Sequence, residues 1–331
     1  MKNSEHVTVD HQFLKKQYDQ RYDGDYMDAD AYSTWVHEGL ATQRVKQTLQ
    51  QIPGSPARIL DYGCGQGKWI PLLNELFPHA EIIGIDISEV AVEKASGKYP
   101  HCHFRAFDGE RAPLADSGFD LVFSFHVLEH VLDIGTSVRD IARLLQPGGC
   151  ACIIFPCGNR HSFEERFVSL LKNGRELSPT GEQIFFFEKA EGHLRRMESD
   201  KTIALFVKEG LVVKHEYYSG QMFAALDWLV RGTGPHYING MFNGVTPVNL
   251  YASIKLFLMR RFLLGLNRFL EYRKLDLTKS RSILKQPIVR LAAKSATTLD
   301  RGLMTLARWE WEHRRHNKGG SVQYLVFKKA G

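Results

Sequence analysis

The sequence has no long hydrophobic run, and this absence limits where the protein can work. A membrane-spanning helix needs about 18 to 20 consecutive apolar residues, and no stretch of the 331 residues reaches that length. The N-terminal segment also lacks the apolar stretch of a secretory signal. We therefore expect a cytoplasmic protein, with peripheral attachment at the inner face of a membrane as the alternative.

Cysteine is scarce, with five residues in the chain and no CxxC spacing. The absence of CxxC pairs argues against a zinc ribbon. The odd number, and positions mainly in apolar runs, argue against a disulfide framework. We predict buried, reduced thiols in a chain whose composition, 44% hydrophobic and 24% charged, is that of an ordinary folded protein.

Acidic residues are scarce in one part of the chain. The net charge is +6 overall, but residues 221–318 contain 17 Lys and Arg against 6 Asp and Glu. The net positive charge of this segment is therefore larger than that of the whole chain. Such asymmetry predicts a partner surface for an anion, a membrane or a nucleic acid.

Short β-rich apolar runs alternate with helical stretches between residues 58 and 156, which is typical of βαβ units and a parallel sheet. The pattern predicts five strands, at 58–63, 81–87, 102–107, 119–125 and 150–156. Two later runs, at 211–219 and 321–329, also have strand character. A mostly helical segment that contains the basic excess separates these two.

The segment DYGCGQG, from Asp61 to Gly67, follows the first predicted strand. Its three glycines permit a tight turn and let the backbone approach a ligand. Asp86 ends the second strand, where a carboxylate can accept both ribose hydroxyls of a nucleoside. The loop is GxGxG, whereas dinucleotide sites prefer GxGxxG. The acid at position 61 would repel a pyrophosphate and attract a cation, which suits the amino group of S-adenosylmethionine.

These motifs, together with FDGE at 107–110, FDLVFSFHVLEHV at 119–131 and LLQPGG at 144–149, resemble those of class I S-adenosylmethionine-dependent methyltransferases. The similarity is greatest to the branch that includes ubiquinone-biosynthesis O-methyltransferases and many natural-product and glycan methyltransferases. It covers residues 55–220 and the last strand. The resemblance implies a Rossmann-like α/β fold with a seven-stranded sheet, whose last strand is antiparallel and inserted between the fifth and the sixth.

The resemblance also implies S-adenosyl-L-methionine as the cofactor and suggests its contacts. The glycines of the turn would line the methionine portion, Asp86 would bind the ribose and Asp108 the adenine amino group. The residues implied for the cofactor site are Asp61, Gly63, Gly65, Gly67, Asp86, Ile87, Asp108, Gly109 and Phe125.

The same resemblance divides the chain into four parts. Residues 1–54 would form an N-terminal helical cap, 55–220 the cofactor-binding core, 221–318 a large basic helical insertion, and 319–331 the final core strand. Three aromatic residues of the cap would be either walls of the acceptor pocket or anchors of a surface helix, namely Tyr26, Tyr32 and Trp35.

The segment HVLEH, residues 126–130, has the HxxEH spacing of inverted zincins, in which two histidines of one helix hold zinc. The methyltransferase resemblance accounts for the same residues as the end of the fourth strand and the start of a helix, so we expect no metal. His126 is then either a general base or a structural or substrate-contacting residue. His193, in GHLRRM, is a second candidate base, with a loop hydrogen bond to backbone as its alternative.

Cofactor motifs do not identify the acceptor. Methyltransferases that act on nucleic-acid bases have a Pro-Pro tetrad at the end of strand four, and this chain has SFHV at 124–127, which disfavours nucleic acid. We predict methyl transfer to a small-molecule or lipid-like acceptor, at oxygen. The alternatives are a nicotinamide-dependent Rossmann oxidoreductase, which needs the missing pyrophosphate loop, and a cofactor-binding but inactive partner subunit.

The basic insertion contains two predicted helices of different character. Residues 250–272 are apolar all round, which fits a helix buried among others or one pressed into a lipid interface. Residues 289–316 place four cations in one narrow stripe, namely Arg290, Lys294, Arg301 and Arg308. Such a stripe fits a lid helix, a homodimer contact or a surface that meets an anionic membrane.

Overall fold

A computed structural model of the chain describes residues 9–24, 39–232, 234–274 and 286–331. Its centre is a seven-stranded sheet of β1 (Arg58–Tyr62), β2 (Glu81–Asp86), β3 (His103–Ala106), β4 (Phe119–Phe125), β5 (Leu145–Pro156), β8 (Leu211–Ser219) and β9 (Val322–Lys329). A separate hairpin consists of β6 (Arg175–Leu177) and β7 (Gln183–Phe185). Tyr26, Tyr32 and Trp35 lie outside the described residues.

The order of the strands in the sheet is β3-β2-β1-β4-β5-β9-β8. Strands β1 to β5 pair in parallel, whereas β9 is antiparallel to both β5 and β8. The last strand thus lies between the fifth strand and the strand at 211–219. This topology confirms the predicted Rossmann-like methyltransferase sheet.

The helices surround this sheet and fill the connections between its strands. In the described residues they are α1 (His11–Asp23), α2 (Leu40–Leu49), α3 (Ile70–Leu76), α4 (Glu89–Lys98), α5 (Ile134–Leu144), α6 (Phe163–Val168), α7 (Ser199–Lys208), α8 (Phe223–Asp227), α9 (Gly234–Phe242), α10 (Leu250–Glu271) and α11 (Gln286–Arg314). None of the described helices combines the length and the apolarity that crossing a bilayer requires.

Both faces of the central sheet are buried. Ile59 and Leu60 are neighbours in β1 and point to opposite faces, yet neither has any exposed surface. Ile59 belongs to an apolar cluster with α2 and α3, and Leu60 to another with α5 and α7. Burying one such side chain contributes about 1.5–3 kcal/mol. Double-sided burial explains why these strands are continuous apolar runs in the sequence.

All five cysteines are buried and unpaired, as predicted. Cys157 directly follows β5 and has no exposed surface. Burial raises the pKa of its thiol to about 12. The thiol therefore stays protonated at neutral pH, as expected for a structural rather than a nucleophilic cysteine.

The helices between β8 and β9 build an apolar core of their own. This third cluster joins α6 and β7 to α9, α10 and α11, and its buried members include Phe167, Ile238, Leu256, Leu263 and Leu303. At the end of α11, Trp311 packs against Tyr217 and Tyr324 of the sheet. The helical segment is thereby joined to the main core.

Helix α10 differs from one of its two predicted environments. Ala252, Leu256, Leu263 and Leu270 are buried, but the opposite side of the helix is exposed. The third cluster covers only one side because α10 lies at the edge of the helical segment rather than inside it. The expectation of a helix buried among others was therefore wrong for half of its circumference.

Candidate active site

A cleft of about 650 Å³ opens at the carboxyl ends of β1, β2 and β4. Ligands of open α/β sheets bind at this edge, where the strand order reverses. Helix α1 forms one wall with His11, Leu14, Tyr18 and Tyr22. The turns that follow the strands form the other, with Gly63, Asp86, Ile87, Gly109, His126 and His130.

The turn after β1 has backbone angles that only glycine adopts readily. Gly63, Gly65 and Gly67 have φ values of 79°, 51° and 75°, which side chains with a Cβ rarely adopt. A Cβ on Gly63 would also lie 2.2 Å from a methyl carbon of Val127. The turn extends further than its sequence suggests, because the next helix begins only at Ile70.

Two buried aspartates lie beside this turn. Asp86 accepts a hydrogen bond from the N–H of Gly65 at 2.8 Å and another from Ser88 at 3.0 Å. Asp61 is 1% exposed, and its Oδ2 has no hydrogen-bond partner among the described residues. Burial, together with the nearby charge of Asp86, raises the pKa of Asp61 to about 8. A buried carboxylate of this kind needs a cation or a donor to ionise.

Helix α1 is tied across the cleft by contacts at several points. The Asp19 carboxylate accepts a hydrogen bond of 2.6 Å from the Ser88 hydroxyl. Arg21 donates to the carbonyl oxygen of Glu191 at 2.8 Å. Tyr18, on the same helix, lines the cleft. Its hydroxyl is buried and has no hydrogen-bond partner among the described residues. Sequence reasoning missed Tyr18, although the Tyr-rich N-terminal stretch was its signal.

His126 reaches the cleft from the end of β4 and is paired with Glu129. Its backbone is left-handed, with φ 56°, which is uncommon outside glycine. The imidazole Nδ1 lies 3.0 Å from Oε1 of Glu129, which has no exposed surface. The ring N–H is not aimed at that oxygen, since neither carboxylate oxygen has a well-aligned donor. The two groups are therefore in close contact without a well-aligned hydrogen bond.

Glu129 remains ionised although it is buried. Burial opposes its charge, but His126, His130 and His193 outweigh that effect and lower its pKa to about 2. His130 is neutral at physiological pH, because burial lowers its pKa to about 4. Its Nδ1 lies 3.1 Å from the carbonyl oxygen of Gly192. The buried negative charge of Glu129 therefore lies next to His126.

His193 lies beneath the cleft rather than in its wall. It is 6% exposed, with Nδ1 3.1 Å from Glu188 and Nε2 3.3 Å from Glu191. Burial by itself would lower the pKa of His193, but the hydrogen bond and charge of Glu188 raise it above the ordinary value. Both ring nitrogens are therefore occupied by carboxylates.

The HVLEH segment does not form the helix that an inverted zincin requires. It is a turn, and the following helix begins at Ile134 with Asp133 as its cap. Glu129 and His130 therefore do not cap that helix. Among the described residues, Glu129, His130 and His193 are the group whose potential metal-ligating atoms come within 4.8 Å of one another. His126 is not part of this group.

The predicted cofactor residues are distributed unevenly around the cleft. Gly63, Asp86, Ile87 and Gly109 line it. Asp108 is exposed and accepts a hydrogen bond from the N–H of Glu110 at 2.9 Å. The Phe125 ring packs against Trp69, with ring centroids 4.6 Å apart. The cofactor contacts of Asp108 and Phe125 stay predictions.

Comparison with known proteins bears on this site. A sequence profile described as a methyltransferase domain matches residues 60–153, which include the glycine turn, Asp86 and the HVLEH segment. The chain is similar to the malonyl-acyl-carrier-protein O-methyltransferase of Legionella pneumophila, at 34% identity over 113 residues. Residues 60–153 thus form a methyltransferase domain of the class I S-adenosylmethionine-dependent type. The Legionella match covers 32% of this chain and 39% of that enzyme, so more than half of the relative lies outside it.

Two further similarities extend over more of the chain. The trans-aconitate 2-methyltransferase of an Azoarcus species is 25% identical over 205 residues, which cover 58% of this chain and 74% of that enzyme. The solved structure of the cyclase SpnF superposes with a TM-score of 0.52 and 15% identity, over 98% of both chains. At that identity the likeness shows the fold alone.

Residues in and beside the cleft fit the family's cofactor, with Asp61 next to the lining rather than part of it. The buried, unpartnered Oδ2 of Asp61 suits the cationic amino group of S-adenosylmethionine. Each carboxylate oxygen of Asp86 has a second lone pair left for a ribose hydroxyl. Gly63, which lines the cleft, has no side chain that would extend toward a ligand.

Proposed function

We propose that this methyltransferase transfers a methyl group to a hydroxyl oxygen of a small or lipid-like acceptor, with His126 as the general base. The observation that carries the proposal is the close contact between the imidazole of His126, in the wall of the cleft, and the fully buried carboxylate of Glu129. Glycine turn, aspartates and histidine meet at the same edge of the sheet. S-adenosylmethionine, when bound, supplies the electrophilic methyl group.

A hydroxyl acceptor requires a base, because its oxygen becomes a good nucleophile only as the proton leaves. Nδ1 of His126 lies 3.0 Å from the Glu129 carboxylate, so Nε2 is the ring nitrogen that remains to take a proton from the acceptor. The charge of Glu129 stabilises the imidazolium that forms when Nε2 takes the proton. A buried acid that orients a histidine in this way is a recurring arrangement in acyl-transfer enzymes.

His193 acts, in this proposal, as a positioning residue rather than as a second base. Its two glutamate contacts hold the loop of residues 188–196 under the cleft. From that loop, the N–H of Leu194 donates to the carbonyl oxygen of Glu129 at 2.8 Å. Arg195 donates to the carbonyl oxygen of Leu128 at 3.0 Å. The loop therefore fixes the turn on which Glu129 sits.

Apolar residues dominate the acceptor side and support a small or lipid-like molecule. Leu14, Phe107, Val127, Val131 and Leu132 are among the residues that line the cleft. An O-methyltransferase is among the relatives of the chain. A charged polymer such as nucleic acid would find little complementary charge on these side chains.

The proposal is tested by following labelled methyl transfer from S-adenosylmethionine to a panel of phenols, sugars, prenylated quinols and carboxylic acids. We expect products from hydroxyl acceptors, with a rate that depends on the imidazole of His126. A carboxylic acid is already ionised and needs no base. Preferred methylation of carboxylic acids, with no effect of His126→Asn on turnover, would contradict the role of His126.

A further inference from the structure

Helix α10 exposes a continuous apolar face, which we call the α10 face. Six large side chains form it, namely Leu250 (77% exposed), Tyr251 (64%), Ile254 (51%), Phe257 (60%), Leu258 (59%) and Phe262 (58%). Four of them, at positions 250, 254, 258 and 262, are four residues apart and so form one line along the helix. Soluble proteins rarely leave so many neighbouring apolar side chains in water.

The charges on α10 are all of one sign over most of its length. From Leu250 to Leu270 the helix has four basic residues and no acidic one. Lys255, Arg261 and Arg268 are exposed. The Nζ of Lys255 lies 4.5 Å from the ring centre of Tyr251, and the guanidinium of Arg261 lies 5.6 Å from that of Phe257. The exposed cations are thus interleaved with the apolar side chains instead of forming a separate face.

We propose that the α10 face docks on a membrane surface that contains anionic lipids. Large apolar side chains would enter the boundary between headgroups and acyl chains, while the long basic side chains extend to the phosphates. This inference is independent of the proposed acceptor and of His126.

Charge complementarity favours a lipid surface over a second copy of the chain. A symmetric dimer places the same patch against itself. Two α10 faces would then bring cations together without an acid between Leu250 and Leu270 to neutralise them. An anionic bilayer supplies the opposite charge and an apolar layer at once.

The first arm of the test is co-sedimentation of the full chain with vesicles. Vesicles of phosphatidylglycerol and phosphatidylcholine should retain the protein, and the binding should weaken as salt is added. Vesicles of phosphatidylcholine alone should retain much less. Failure to bind the anionic vesicles at low salt would overturn the proposal.

The second arm removes apolar groups from the α10 face. The double variant Phe257→Ser/Phe262→Ser should weaken binding to the anionic vesicles about tenfold or more, because both rings would otherwise leave water. The matched control is Val207→Ser/Val212→Ser, since these two side chains are each 51% exposed but belong to α7 and β8. Equal losses in both variants would mean that the α10 face is not the docking surface.

The third arm separates this face from the general positive charge of the chain. Each cation near an anionic membrane strengthens binding about fivefold, so Lys255→Gln/Arg261→Gln/Arg268→Gln should weaken it about a hundredfold. The control Arg290→Gln/Lys294→Gln/Arg301→Gln removes three exposed cations from α11. An equal effect of the control would assign binding to the overall field and contradict the proposal.

Two further measurements can contradict the proposal. Sedimentation without lipid measures self-association, and dimers that dissociate in the Phe257/Phe262 variant would assign the face to a second copy. Because the five native cysteines are buried, Leu258→Cys can be labelled at one site with a polarity-sensitive dye. Its emission should shift to the blue on anionic vesicles, whereas an unchanged spectrum would contradict insertion even if other variants fold poorly.

Discussion

The Nδ1 atom of His126 lies 3.0 Å from Oε1 of Glu129, a carboxylate with no exposed surface. The left-handed backbone of His126 turns the ring back over the residues that follow it. His126 thus lines the cleft and contacts the buried carboxylate of Glu129 at the same time. This relationship separates the chemistry of His126 from that of His193, whose two nitrogens both face carboxylates.

Replacing His126 should impair turnover without impairing cofactor binding. For His126→Asn we expect kcat to fall about 10²- to 10⁴-fold, the usual contribution of a general base. Affinity for S-adenosylhomocysteine should be unchanged in titration calorimetry. The matched control is His161→Asn, because His161 is also left-handed, with φ 71°, but does not line the cleft. Similar losses in both variants would attribute the effect to backbone strain.

Glu129 should make the folded state sensitive to acid. Its pKa is lowered from 4.5 to about 2, so its contribution to stability is present above pH 4.5 and is lost as the pH falls toward 2. A shift of that size corresponds to about 3 kcal/mol. In urea denaturation between pH 5 and pH 2, Glu129→Gln should therefore show a shallower loss of unfolding free energy than the native chain. Glu93→Gln, an exposed carboxyl on α4, should retain the native slope.

Asp61 should couple cofactor binding to proton release. Its pKa is raised to about 8, so the free carboxyl is protonated below that pH and must ionise to pair with an ammonium group. Affinity for S-adenosylhomocysteine should then rise between pH 6 and pH 8, by up to about tenfold per pH unit. Asp61→Asn should bind more weakly and lose this slope. Calorimetry in buffers of different ionisation enthalpy measures the released proton, and an equal slope in both proteins would refute the coupling.

Gly63 should tolerate no side chain, because of Val127 as well as its own backbone. Gly63→Ala combines a φ of 79° with a Cβ placed 2.2 Å from the Val127 side chain. Gly54→Ala has a similar φ of 76° but no atom within 4 Å of its Cβ. Strain of this kind amounts to about 1–3 kcal/mol, so thermal unfolding should show a larger loss for Gly63→Ala. Adding Val127→Ala should restore part of it, and no difference between the two single variants would remove the steric explanation.

The sequence was sufficient for the sheet and for the glycine turn. Apolar runs predicted the strands at 119–125 and 211–219 with the bounds that the structure has. The signal is clearest for 119–125, which is buried along most of its length. The spacing of the turn and Asp86 carried the methyltransferase resemblance. Adjacency of the strands at 211–219 and 321–329 came from that resemblance, since no local pattern encodes it.

The environment of the histidines was not predictable from the sequence. Glu129 is held by the N–H of Leu194, which is distant in the chain, and His193 by two glutamates of its own loop. Such contacts depend on the tertiary fold, and the spacing in HVLEH is equally compatible with a helix. The side of α10 that faces water was also undetermined, because its sequence is apolar all round and periodicity distinguishes no face.

Titration of the purified chain with S-adenosylhomocysteine tests the central claim most directly, with NAD and zinc in parallel. We predict saturable binding of one S-adenosylhomocysteine per chain, weakened in Asp61→Asn and Asp86→Ala and retained in His126→Asn, with no comparable binding of NAD. Absence of binding, a preference for NAD, or unchanged affinity in both aspartate variants would contradict the cofactor site described for this cleft.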